Sequence, residues 1–248
     1  MPPVPIGAAL DKVPVGTWAE YEIKRGDEPA RKVRQALVSK AAGSFVLETR
    51  TASARGDKVV SQATVGSDPA AEGGVKKVVT QFGDADPMEM PVRAQGAGPG
   101  GGPGAGPGGD GNGRGPGGGG GGGGGMMGRM GGARFLKPDP KALVGKETLK
   151  LTAGTFATEH YKQTGPRGGT VEYWLAKDAG PLGVVKVAYD RPAGGDNEAE
   201  KVTMELVGKG KGATPEITKP AKPFDPEAMR ARFGRGPGGP GGPGGGPQ

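Results

Sequence analysis

A run of nine consecutive glycines, Gly117 to Gly125, lies near the middle of the chain, inside a tract (96–132) in which 24 of 37 residues are glycine. No other feature limits the fold as much. Such a segment has no side chains to bury and loses the most backbone entropy on ordering, so it cannot join a packed core. It has no strict Gly-X-Y period, which excludes a collagen-type helix. The expectation is a disordered insertion over 93–134, far longer than the usual connection of about 4–6 residues. A second tract, 234–248, holds 9 glycines in 15 residues and reads as a disordered tail.

Outside the tracts the composition is ordinary and rich in Val, Thr and Lys, enough for one sizeable domain. Strand-sized runs follow one another, punctuated by Gly, Asp and Pro. Before the insertion they are 15–23, 33–39, 45–49, a short run at Val59 and Val60, and 75–82. After it they are 144–151, 156–163, 170–176, 183–189 and 200–207. Alternation is clear in several. Ala19, Tyr21 and Ile23 oppose Glu20 and Glu22, while Val171, Tyr173 and Leu175 share a parity, as do Val202, Met204 and Leu206. One side of an antiparallel sheet is therefore buried and the other faces water. Neither half carries much apolar content alone, so both are expected to complete a single sheet of about ten strands.

The flanks are read more simply. Residues 1–13 are an extended Pro-rich lead-in, 14–92 the first half of the β domain, and 135–220 the second. Asp225 followed by Pro226 has the form of an N-cap and first helical turn, predicting a short helix over 221–233.

A formal net charge of +7 invites a nucleic-acid partner. The central tract, however, carries only Arg114 and Arg129 against Asp110 and has no aromatic residue, so no nucleic acid is expected. There is no cysteine, which removes disulfides, thiolate metal sites and a cysteine nucleophile. No run is long and apolar enough for a transmembrane helix. The first ten residues lack a basic start and an apolar stretch, so they are not an intact signal peptide. The chain is then either cytoplasmic or a mature form that has lost its leader.

No residue set demands catalysis. His160 is the sole histidine and reads as a structural residue at a sheet surface, because no Gly-x-Ser-x-Gly accompanies it. Met88, Met90, Met126, Met127 and Met130 flank the glycine tract, but scattered thioethers do not preorganise a copper site. Asp84 and Asp86 lack the later glycine and glutamate of a calcium loop. Arg-Gly-Asp occurs at 25–27 and 55–57, both times where the strand pattern requires a turn. No catalytic residue, metal or cofactor is assigned.

One motif is more specific. It comprises Val144-Gly145-Lys146-Glu147-Thr148, Ala153-Gly154-Thr155-Phe156, His160-Tyr161, Tyr173-Trp174 and Pro181-Leu182-Gly183-Val184-Val185-Lys186, preceded by Thr17-Trp18-Ala19-Glu20-Tyr21. It resembles a group of bacterial envelope proteins with the pattern E-T…A-G-T-F…H-Y…W…P-x-G-x-V-K, similar in turn to lipoprotein carriers of the LolA/LolB kind. The resemblance implies a mostly β fold with one strongly curved, half-barrel-like antiparallel sheet, a periplasmic or cell-surface location, and no catalytic residues. It also implies a concave face that holds a lipid-like or other apolar ligand. The motif residues Trp18, Tyr21, Glu147, Gly154, Phe156, His160, Tyr161, Trp174, Pro181, Gly183 and Lys186 are expected to be structural. The alternative function is a scaffold that contacts an envelope protein partner, with its Gly/Pro tracts mediating assembly or spacing.

Overall fold

The computed structural model describes residues 4–52, 56–92, 135–164, 169–193 and 199–227. The expected insertion (93–134) and tail (234–248) lie outside the described residues. The strands are β1 (Val4–Pro5), β2 (Trp18–Arg25), β3 (Arg31–Ala41), β4 (Ser44–Ala52), β5 (Lys58–Val65), β6 (Val75–Phe82) and β7 (Met88–Met90), then β8 (Phe135–Leu136), β9 (Leu143–Leu151), β10 (Gly154–Thr164), β11 (Thr170–Leu175), β12 (Val184–Arg191) and β13 (Glu200–Gly210).

Eleven of them form one antiparallel sheet in the order β7-β6-β5-β4-β3-β2-β13-β12-β11-β10-β9. Each half is a meander of hairpins. The halves meet at one seam, β2 against β13, where Ile23 faces Met204 and Tyr21 faces Leu206. Both seam strands carry an apolar parity, so the pairing makes one continuous buried side. The sheet curls strongly without closing into a barrel. Residues of β9 and β13 come within 8 Å of each other (Cα–Cα), with three strands between them in hydrogen-bonding order. In a flat sheet that separation is about 19 Å, four strand spacings of roughly 4.8 Å.

The core joins both halves: Tyr21, Leu37, Leu47 and Val65 belong to the same buried cluster as Tyr173, Val187, Met204 and Leu206. Full burial of such side chains stabilises by about 1.5–3 kcal/mol each. The parities expected for β2, β11 and β13 are the ones observed. β10 is different. Phe156 and Thr158 are buried at its start and Tyr161 at its far half, and the register against β9 shifts between His160 and Tyr161.

The sheet of about ten strands is present with eleven; the added one, β7, has three residues between Pro87 and Pro91, too few to display alternation. Two expectations are corrected. Residues 4–13 are no open lead-in. β1 pairs in parallel with β8, Gly7 N–H donates to the Leu182 carbonyl at 2.8 Å, and Val4, Leu10 and Val13 are buried in the common core. Residues 221–225 are not helical. Lys222 instead exchanges backbone hydrogen bonds with Pro87 and Glu89 beside β7. The Asp225 carboxylate does accept from Glu227 N–H at 2.8 Å, and residues 228–233 of the predicted helix lie outside the described residues.

The segment leading there, 211–224, crosses the other side of β3–β6 as a strap. Ala213 N–H donates to Gly16, the Gln62 amide donates to the Ile217 carbonyl at 3.1 Å, and Ile217 packs on Val60 and Val79 in a second small apolar cluster.

Candidate functional site

Four motif residues from four neighbouring strands assemble on the side of the sheet opposite Tyr161 and Tyr173. His160 on β10 sits directly across from Trp174 on β11, and Trp174 across from Lys186 on β12. Strand pairing puts such residues side by side. The imidazole stacks on the indole at 4.3 Å between centroids, and the Lys186 ammonium lies 5.6 Å from the same ring. Glu147 on β9 closes the group: its Oε1 accepts from Trp174 Nε1 and lies 3.3 Å from His160 Nδ1. Lys186 continues the row to Glu205 on β13 at 2.8 Å.

Sequence reasoning missed one member. Glu172, two residues before Trp174 on β11, lies 3.3 Å from His160 Nε2, and Lys162 holds its other oxygen at 2.8 Å. Its shared parity with Trp174 was the available signal. The Lys162 hydrogen bond, reinforced by that lysine's charge and by His160, keeps the Glu172 carboxyl below its ordinary range against the opposing effect of burial.

The imidazole is therefore held from three directions. Its nitrogens face different carboxylates, so they do not converge on one point where an ion or substrate atom would sit. A neutral ring donates from one nitrogen only, and the protonated ring donates to both carboxylates. Among the described residues, no group of three or more His, Asp or Glu has metal-binding geometry. The arrangement is a cross-strand latch joining β9, β10, β11 and β12.

The remaining motif residues lie outside the latch. Tyr161 and Tyr173 stack on the buried side with centroids 5.2 Å apart, and their hydroxyls donate to Glu159 and Gln163. Tyr21 is fully buried and donates to the Val184 carbonyl at 3.2 Å, and burial pushes its hydroxyl pKa up. Phe156 is buried under the Lys209 ammonium, 4.7 Å from the ring centroid. Gly154 turns β9 into β10. Gly183 and the buried Pro181 form the corner before β12, and at Gly183 (φ +69°) an added Cβ would press on the backbone of Gly7 and Ala8 at 3.2 Å. Trp18 lies away from the latch, with the Arg34 guanidinium 4.4 Å from its ring centroid.

Among the described residues, two shallow clefts lie elsewhere, on the strap side of β2–β5, and both are walled by Arg34 and Arg50. The first holds about 230 Å³, with Glu48, Thr214 and Glu216 also at its wall. Neither has an apolar lining suited to an acyl chain.

No family model matches the chain, and no curated protein is similar to it in sequence. Among solved structures, the hypothetical protein CT021 from Chlamydia trachomatis is similar at a TM-score of 0.44 and 11% identity, over 86% of this chain and 95% of that one. No helix among the described residues is long and apolar enough to cross a membrane.

Proposed function

We propose that the protein is a non-catalytic scaffold of the cell envelope, in which the curved sheet is a rigid body and the Gly/Pro tracts at 96–132 and 234–248 mediate assembly or spacing. One observation supports this reading above the others. The buried side of the sheet, where a carrier would hold its ligand, is filled by the chain itself through Val4, Leu10, Val13 and Phe135. The histidine latch, tied to two carboxylates and an indole, fits the same reading, because it braces neighbouring strands. The envelope location rests on the motif resemblance.

Deleting both tracts from the full chain tests the proposal. The expected result is loss of self-association in sedimentation with an unchanged far-UV circular dichroism spectrum. Unchanged association would overturn it.

A second reading, an apolar ligand on the concave face, is favoured only by the slender attachment of residues 4–7. These are held through a two-residue pairing and the Ile6 and Gly7 N–H groups. Native mass spectrometry separates the readings: a co-purifying acyl ligand supports carriage, and a bare chain supports the scaffold.

A further inference from the structure

Arg34 on β3 and Arg50 on β4 are directly opposed in the register. Like charges in that position repel and destabilise a sheet, so an anion beside the pair relieves it. The protein's own carboxylates supply it unevenly. Glu216 on the strap contacts Arg50 at 3.4 Å and also pairs with Lys58. Glu20, directly across from Arg34, is turned to Lys32 at 3.5 Å. Glu48 is buried and spends one oxygen on the Gln62 amide and the Glu216 N–H, both at 2.9 Å. Among the described residues, Arg34 has no carboxylate within ion-pair distance and rests on the Trp18 indole alone.

The indole holds the guanidinium in place. Trp18 is itself pinned, because its Nε1 donates to the Lys211 carbonyl and its ring lies against Gly210. Both clefts open onto this pair: Thr214 borders the first, and Lys32, Thr51 and Lys58 border the second. Two planar guanidiniums beside Thr214 at the wall of the first cleft present forked donors to several oxygens at once, a geometry that a tetrahedral oxyanion can bridge.

We propose that Arg34, Arg50 and Thr214 form a binding site for a tetrahedral oxyanion of the phosphate type, either free or as the terminal group of an ester. The anion bridges the two guanidiniums and takes over from Glu216 as the partner of Arg50. The site is separate from the latch and from the scaffold reading.

Isothermal titration of the full chain with inorganic phosphate and pyrophosphate tests it. Saturable binding at one site is expected, with Arg34→Gln and Arg50→Gln each weakening it by about tenfold or more. Glu216→Gln removes the competing carboxylate and is expected to tighten binding, a result that a nonspecific basic surface would not give. Lys150→Gln on the distant β9 is the control and leaves affinity unchanged. Thermal melts identify any variant that fails to fold, and the remaining arginine variant and Glu216→Gln then carry the test.

Phosphatidylcholine vesicles with and without phosphatidic acid separate the sources. Arg50-dependent recruitment assigns an ester headgroup, and phosphate binding without recruitment assigns a free anion. Absence of saturable binding, equal loss in Lys150→Gln, or weaker binding by Glu216→Gln would overturn the proposal.

Discussion

Gly210 has no room for a side chain, since an added Cβ would lie 2.7 Å from the Trp18 indole. Gly210→Ala is therefore expected to destabilise by about 1–3 kcal/mol in urea unfolding, the usual cost of overpacking. The tyrosines set a pH limit. Burial raises the hydroxyl pKa values of Tyr21 and Tyr161, with Glu159 adding to the latter, and pushes Tyr173 up to about 12. Unfolded tyrosines ionise near pH 10, so the unfolded chain releases protons that the folded chain retains. The stabilisation is complete below about pH 10 and is lost as pH rises through the folded values. Absorbance from these three tyrosinates is expected to appear late and together with loss of circular dichroism; titration of all three near pH 10 in an intact fold would contradict this. Glu172 acts at the acid end. Its pKa is lowered, so its contribution is present above the unfolded carboxylate value and disappears as pH falls through the folded one. Glu172→Gln should flatten the acid side of a stability–pH curve.

At the scale of elements, legibility followed periodicity. Strands such as β2, β11 and β13 alternate over six or more residues, and their buried parity could be read directly from Tyr21, Tyr173 and Met204. Elements without a period were invisible. The strap 211–224 carries Pro215, Pro220 and Pro223 and does not alternate, yet Ile217 is buried on Val60 and Val79. The latch was half legible. Glu147, His160, Trp174 and Lys186 were singled out, but their meeting depends on cross-strand register, which no local pattern encodes. The opposed Arg34 and Arg50 were missed for the same reason, whereas Glu172 shares its parity with Trp174. The strap also makes a polar connection worth testing: Glu48→Ala would leave the Glu216 N–H without its acceptor and the Gln62 amide with the Ile217 carbonyl alone. A loss of about 2–3 kcal/mol is expected in denaturant titration, and a change within about 0.5 kcal/mol, typical of surface positions, would show that the strap is not held there.

Across the whole molecule, the decisive contact is the seam. Two stretches of chain separated by residues 93–134 become one sheet through β2 and β13, and the apolar core runs across the join without a break. A core shared in this way predicts that neither half unfolds alone. The chain's two tryptophans lie on opposite sides of the insertion, Trp18 in the first half and Trp174 in the second. Trp18→Phe and Trp174→Phe each leave one fluorophore, and comparing its denaturant transition with the same variant's far-UV circular dichroism tests cooperativity directly. A single sheet with a common core requires coincident midpoints in both variants. Fluorescence and circular dichroism transitions that separate in either variant would mean two independently folding halves, and would contradict it.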